Sequence, residues 1–415
     1  MEESLHFGNG KGTGLEYQIL AGPAFSLVYT LAGIPVGWLA DRYNRKLIFV
    51  VSLLFWSACT AAMGASQTFW QLLLARAGQG LGQAGCNPTA NGIMAELFVP
   101  EASATARGVY STAIYLGYSL AFSAAGPISS HFGFRAVYYV FGLVGLPIAL
   151  AILFTVREPK RGVHDSKKSE AAAVAAEVGD VASKPSLLSV IRLFLRPSLL
   201  LLCLAGGVRN AAGYVWAFNT ENFFENVHDQ SKVEIAAYMG WIPLVGGSLG
   251  VVFGGFVADW VLKERGPVAR IWVLVVSQLA AAPFCAGALL LPLPYAYLSL
   301  LPANIIGELW VGVTLAVVSS LLPTAMRGVG VAVYFFIIGN IAGLAPLAVP
   351  PLSTHFHSLR TALLFMYPGL YVLSSLLFFV TLTSLSRDLR KAAAVDAPES
   401  APLIQARDDP NSNPQ

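Results

Sequence analysis

Charged residues are scarce in this chain. They occupy 12% of its 415 positions, against roughly 25% in ordinary soluble domains. A soluble protein of this length would still need a charged surface of normal size, so a water-facing globular fold is excluded. Cysteine is rarer still: Cys59, Cys86, Cys203 and Cys285 all lie inside apolar runs with no paired spacing. That excludes a disulfide framework and a thiolate metal site. The six histidines form no constellation, and the nearest pair, His355 and His357, falls in a loop. There is no nucleophile elbow, no Gly-rich phosphate cradle followed by Lys-Ser/Thr, and no metal-ligand spacing. An enzyme, an ATP-driven pump and a bound cofactor or metal are therefore not expected. A net charge of +3 gives no reason to expect a nucleic-acid partner.

Apolar residues fill the space left by charge. They make up 55% of the chain, and the 39 glycines and 24 prolines suit membrane helices, where both are commoner than in soluble ones. A span needs about 20 apolar residues. By that measure runs fall near 17–40, 47–65, 69–94, 108–130 and 136–156, then 198–222, 235–261, 269–291, 296–322, 328–352 and 359–385. The expected fold is an all-α, multi-pass integral membrane protein of about eleven transmembrane helices, five and then six. Arg42, Arg45, Lys46, Arg107, Lys263, Arg265, Arg270 and Arg327 sit in alternate loops with the tail residues Arg387, Arg390 and Lys391. The positive-inside rule assigns that face to the cytoplasm.

The loop Gly37-Trp38-Leu39-Ala40-Asp41-Arg42-Tyr43-Asn44-Arg45-Lys46 has a partial echo in Gly255-Phe256-Val257-Ala258-Asp259. Arg107-Gly108-Val109 likewise recurs as Arg327-Gly328-Val329. Two markers displaced by nearly one interval indicate a duplicated half, the usual build of secondary transporters. The expected organisation is a bundle over 1–156, a cytoplasmic linker over 157–197, a second bundle over 198–385 and a disordered tail over 386–415. Within the linker, Pro185 to Arg196 has the pattern of an amphipathic helix lying on a membrane surface. The tail segment Glu399-Ser400-Ala401-Pro402-Leu403-Ile404 resembles an acidic dileucine sorting signal.

These segments identify a resemblance. Gly37 to Lys46 resembles the signature loop of the major facilitator superfamily, with Asn44 where a glycine is usual. Arg76-Ala77-Gly78-Gln79-Gly80-Leu81-Gly82-Gln83-Ala84 is similar to the superfamily's Arg-containing fourth-helix motif, and Gly126 to Arg135 to its fifth-to-sixth helix junction. Gly80 to Pro88, Glu96 to Gly108, Arg157-Glu158-Pro159 and Gly307-Glu308 resemble the Spinster branch. The resemblance implies two pseudo-symmetric helical bundles, alternating access, an amphipathic anionic solute such as a lysolipid or sphingolipid, coupling to H+ or Na+, and residence at the plasma membrane or in endosomes and lysosomes. It aligns the first run here with the family's second helix. It also places Gln83 where Spinster relatives usually have Glu, and a glutamine cannot carry a proton.

The candidate residues divide in two. Gly37, Asp41, Arg42, Arg45, Lys46, Arg107, Asp259 and Arg327 are expected to form a conformational latch, since the family's carboxylate at Asp41 caps a neighbouring helix and pairs with arginine. The glycines at 37 and 255 would let helices approach closely. The competing reading is a basic loop that only sets topology. Arg76, Arg209 and Glu308 fall well inside apolar runs, where a bare charge costs about 2.5 to 3.5 kcal/mol. Each must face a cavity or a partner. Arg209, Gly213 and Trp216 share one helical face, and Asn210 and Tyr214 an adjoining one. Gln83, Asn87 and Asn91 form a polar stripe at four-residue spacing. Arg76, Gln83, Asn87, Arg209, Asn210, Tyr214, Trp216 and Glu308 are the expected substrate-binding set. An Arg209–Glu308 ion pair without ligand contact, and interhelical hydrogen bonding by the stripe, remain the alternatives. A non-transporting sensor or scaffold is the alternative function.

Overall fold

The computed structural model describes residues 5, 7–8, 14–98, 100–158, 192–266, 268–323 and 327–396. Among them nine helical stretches are long and apolar enough to cross a membrane. Two of the eleven expected spans fall outside that set although they are helical. The first is broken into α4 (Phe69–Gln83) and α5 (Cys86–Leu97), and the second lies in α6 (Pro100–Phe132). The first is diluted by Arg76, Gln79, Gln83, Asn87 and Asn91, the residues that suit it to a polar interior.

In the first bundle α1 (Leu15–Ala21), α2 (Pro23–Arg42), α3 (Arg45–Ala65) and α7 (Phe134–Thr155) join α4 to α6. There α3 packs on α7 and α4, and α2 on α4. The second bundle runs α8 (Pro197–His228), α9 (Lys232–Met239), α10 (Ile242–Arg265), α11 (Ala269–Leu290), α12 (Tyr295–Gly307), α13 (Trp310–Leu321) and α14 (Arg327–Leu344). A short 3-10 turn (Ala345–Ala348), α15 (Val349–His355), α16 (Leu359–Met366) and α17 (Pro368–Asp396) complete it. Here α8 packs on α17 and α14, and α11 on α12 and α17.

Helix breaks mark the duplication more clearly than the loops do. The stretch 15–42 breaks at Gly22-Pro23, and the stretch 232–265 at Gly240, three residues before Pro243. Proline lacks the N–H that would continue the helix and crowds the carbonyl four residues back. Gly22 and Asp41 are separated by the same nineteen positions as Gly240 and Asp259. A second matched pair of breaks divides α4 from α5 at Ala84-Gly85 and α12 from α13 at Glu308-Leu309.

The bundles meet through α6 against α9 and α10, and through α2 against α14. Tyr17 donates to the Phe218 carbonyl at 3.2 Å, Gln18 to Asn219 at 2.8 Å and Thr30 to Asn340 at 2.9 Å. Ser119 donates to the Gly240 carbonyl. All these lie between mid-height and the face opposite the basic loops. A Cβ on Gly22 would collide with the Gly343 carbonyl, and one on Gly240 with Ser123, so both break glycines serve as close crossings between bundles. Among the described residues a Cβ at Gly37 or Gly255 would meet nothing within 4 Å, since in this conformation the bundles close on the opposite face.

The linker from 159 to 191, which holds much of the expected surface helix, and the tail beyond 396, including Glu399 to Ile404, lie outside the described residues.

Candidate substrate site

The break at Gly22 frees carbonyls near the end of α1, and one of them is taken by a half-buried cation. Arg76 on α4 donates its Nε to the Leu20 carbonyl at 3.1 Å and one terminal nitrogen to Gln79 Oε1 at 2.6 Å. Gln79 is fixed in turn by donating to Thr60 at 3.1 Å. The guanidinium carbon lies 5.1 Å from the centre of the Phe25 ring. Tyr17, Tyr118, Tyr138 and Tyr214 are near enough to interact with it electrostatically. Among the described residues no carboxylate pairs with Arg76, and its remaining guanidinium nitrogen has no hydrogen-bond acceptor. A positive charge is thus held among tyrosines and one amide.

A polar line runs from Arg76 toward the basic face. Gln83 is half-buried at the end of α4, and Asn87 is exposed one turn later. Asn87 donates to the Tyr29 hydroxyl at 2.8 Å and accepts from Tyr110 at 3.2 Å, while Tyr29 stacks on Phe25 with centroids 5.5 Å apart. Asn91 turns back on its own helix, donating to the Asn87 carbonyl. On α8, Asn210 and Tyr214 are half-buried, and Tyr214 interacts electrostatically with Arg76, Tyr118 and Tyr29 of the first bundle. These two α8 residues therefore face the first bundle across the central space.

Arg209 is placed differently. It is 2% exposed and held inside its own bundle by Nε and one terminal nitrogen. Nε donates to Gln278 at 2.6 Å, and one terminal nitrogen donates to the Gly307 carbonyl at 2.9 Å and to Glu308 at 3.1 Å. The guanidinium also sits 4.2 Å from the Tyr371 ring centre and 5.5 Å from that of Trp310. The structure joins Arg209 to Glu308 and separates Trp216 from both. Trp216 is buried in the second bundle's core, stacked on Tyr367 at 4.7 Å and edge-on to Phe224. Helical spacing puts Trp216 on the side of α8 that carries Arg209, and that side packs into the second bundle's core.

Two residues that sequence reasoning passed over complete the arrangement. Tyr115 on α6 donates to Glu308 Oε2 at 3.2 Å across the bundle interface. Glu158, just beyond α7, accepts from the backbone N–H groups of Arg45 at 2.9 Å and Lys46 at 2.8 Å, capping α3. The Arg157-Glu158-Pro159 segment was the only hint of the second, and nothing in an apolar run singles out Tyr115. Of the expected latch, Arg45 also donates to the carbonyls of Ala40 and Gly92, and Arg42 lies over the Trp38 ring at 4.0 Å. Lys46 is half-buried at the start of α3. The side chains of Asp41, Arg107, Asp259 and Arg327 lie outside the described residues.

The model of the Major Facilitator Superfamily matches residues 4–346. The chain belongs to that superfamily. Major facilitators are membrane transporters of small molecules, so this chain is a secondary transporter by family and not an enzyme. It is similar to an MFS-type efflux pump of Mycolicibacterium smegmatis, 25% identical over 90% of this chain and 86% of the pump. It is also similar to a D-galactonate transporter of Escherichia coli, 26% identical over 79% of this chain and 78% of the relative. Among solved structures the fold is shared. An inward-facing, unoccupied bacterial homologue of the human lysosomal transporter Spinster superposes with a TM-score of 0.73, at 24% identity, over 93% of this chain and 91% of that one.

Proposed function

We propose that this major facilitator carries a small organic anion, with Arg76 as the receptor for its negative group. The observation that supports this reading is the guanidinium held half-buried between α1 and α4 without a carboxylate partner among the described residues. Desolvating a charge is costly unless a counter-ion is supplied. An arriving carboxylate or phosphate supplies it, and arginine holds either group by paired N–H donors. Solute binding then offsets the cost of desolvating the guanidinium. The Phe25, Tyr29 and Tyr214 surfaces suit an apolar or sugar-like body, while Gln83 and Asn87 bind polar groups nearer the basic face. A sugar acid, as carried by the D-galactonate relative, and an anionic lysolipid or sphingoid phosphate share this chemistry. Alternating access follows from the two bundles. The conformation here holds one face shut through Tyr17, Gln18, Thr30 and Ser119, and the latch residues Gly37, Asp41, Arg42, Arg45, Lys46, Arg107, Asp259 and Arg327 would close the other.

The test is uptake into proteoliposomes of D-galactonate, lysophosphatidic acid and sphingosine phosphate, by wild type and by Arg76→Ala and Arg76→Lys. At least one anion should be carried. Arg76→Ala should reduce its flux about 100-fold or more, as loss of a charge-assisted pair implies, and Arg76→Lys should recover part of it. Wild-type flux by Arg76→Ala would refute the assignment.

A further inference from the structure

The outer face of α17 turns from apolar to basic without a break. Leu376, Val380, Thr383, Arg387 and Lys391 are all exposed and follow one another at three- or four-residue spacing, which is one side of a helix. Arg390 is exposed beside them. The helix has 29 residues, a rise of about 44 Å against a hydrocarbon layer of about 30 Å. The excess length carries its charged end out of the hydrocarbon on the basic face.

The turn that precedes α8 is fastened to this end. Leu193 and Phe194 pack into the apolar cluster that holds Leu385 and Leu389 of α17. Asp388 accepts from the Ser198 N–H at 3.1 Å, and the Ser198 and Ser384 hydroxyls share a hydrogen bond of 2.8 Å. These contacts bring the segment with Arg192 and Arg196 against the segment with Arg387, Arg390 and Lys391. Leu195, between the two arginines of the turn, is 71% exposed, and Leu200 and Leu204 extend an exposed apolar line along α8. Two apolar lines on adjoining helices therefore end at one set of cations. Asp388 is the carboxylate set among them, but it is 1% exposed and already bonded to Ser198. Arg387 lies 3.7 Å from it, and Lys391 is near enough to interact with it electrostatically. One terminal nitrogen of Arg196 is shielded from water and has no hydrogen-bond acceptor among the described residues. A donor in that state calls for an acceptor.

We propose that this corner binds one anionic phospholipid, its phosphate held by Arg196 and Arg387 with Arg192, Arg390 and Lys391 around it, and its acyl chains laid on the exposed lines of α8 and α17. Charge and position together select this occupant. A soluble anion would use the cations but not the apolar lines, and a zwitterionic lipid would bring a cation of its own to a corner already rich in them. Guanidinium holds phosphate through paired donors, long cationic side chains reach the headgroup layer from the edge of the hydrocarbon, and basic pockets at the ends of membrane helices take anionic headgroups. The lipid would tie the turn before α8 to the end of α17 and so fix where the linker enters the second bundle. The inference goes beyond the solute reading and is independent of it, since Arg76 stands on α4 in the other bundle.

The test follows binding to the full chain in a neutral detergent, by native mass spectrometry for lipids and by thermal stabilisation for every probe. The probes are dioleoylphosphatidylglycerol, dioleoylphosphatidylcholine, glycerol 3-phosphate and inorganic phosphate. Phosphatidylglycerol should bind more tightly than phosphatidylcholine, and Arg387→Gln/Lys391→Gln should weaken it about 30-fold, the worth of two cations at a membrane surface. Arg192→Gln/Arg196→Gln should do the same. Lys263→Gln/Arg265→Gln, which removes equal charge from the basic end of α10, should change little, and Arg76→Ala should bind as wild type does. Equal binding of the two lipids would overturn the proposal. So would equal weakening by the α10 pair, which would leave only a general surface attraction, or full stabilisation by either soluble phosphate, which would make the corner a free-anion site. Loss of lipid binding in Arg76→Ala would move the lipid to the solute site and refute the corner while sparing the solute reading. If Arg387→Gln/Lys391→Gln does not fold, Arg192→Gln/Arg196→Gln decides alone, since wild-type affinity there refutes the site.

Discussion

Arg76 and Leu20 are joined by a hydrogen bond of 3.1 Å from the guanidinium Nε to a backbone carbonyl. The break that ends α1 and the cation of α4 are therefore one unit. The same break carries Gly22, which crosses the second bundle at Gly343. Movement of α1 on opening would reach Arg76 directly, so the ligand's receptor and the closed face share a backbone segment.

Gly22→Ala is expected to open the closed face, because its Cβ has no space against the Gly343 carbonyl. Gly37→Ala has space here, with nothing within 4 Å. If Gly37 belongs to a latch used only when the basic face closes, its substitution should favour the present conformation instead. Distance measurements across both faces should show opposite shifts for the two variants. Shifts of the same sign would remove Gly37 from the latch.

Arg209 and Glu308 should be far more costly to lose singly than together. A buried charge left without its partner costs about 3 to 5 kcal/mol, and the lower end applies because Glu308 is 21% exposed. Thermal unfolding in detergent should place Arg209→Ala well below wild type, with Arg209→Ala/Glu308→Ala recovering part of the loss. Additive losses would mean that the pair contributes no coupling. Gln278 and the Gly307 carbonyl, which also hold Arg209, would then carry its stabilisation.

Glu158 stabilises the basic end of α3 through two backbone N–H groups, as an N-terminal carboxylate does. Glu158→Ala should cost about 1 to 2 kcal/mol, read as a lower midpoint in thermal unfolding. Transport at low temperature should be little changed. A null effect would show that Asn44, which accepts from the Leu47 N–H at 2.8 Å, is cap enough.

Much of this architecture was legible in the chain. The Gly37 and Gly255 segments point to the duplication, and an Arg209–Glu308 pair is one of the two readings open to charges that cannot face lipid, the other being contact with substrate. Periodicity fails at Trp216, because it assigns a residue to a helix face but not to the neighbour that face meets. The sequence places Arg76 inside an apolar run, but that no carboxylate among the described residues pairs with it appears only once the neighbouring helices are in place. Tyr115 is invisible in sequence for the same reason, since its partner lies 193 residues away. The matched breaks could have been read from Gly22-Pro23 and Gly240 with Pro243, had their common spacing to Asp41 and Asp259 been compared.

The most direct measurement is binding of matched pairs that differ only in charge: D-galactonate against its neutral lactone, and lysophosphatidic acid against the corresponding monoacylglycerol. Each is followed by the thermal stabilisation it confers. With Arg76 as the anion receptor, a charged member of a pair should stabilise wild type, its neutral twin should not, and Arg76→Ala should erase the difference. Equal stabilisation by charged and neutral members, or a charge preference that survives Arg76→Ala, would contradict it.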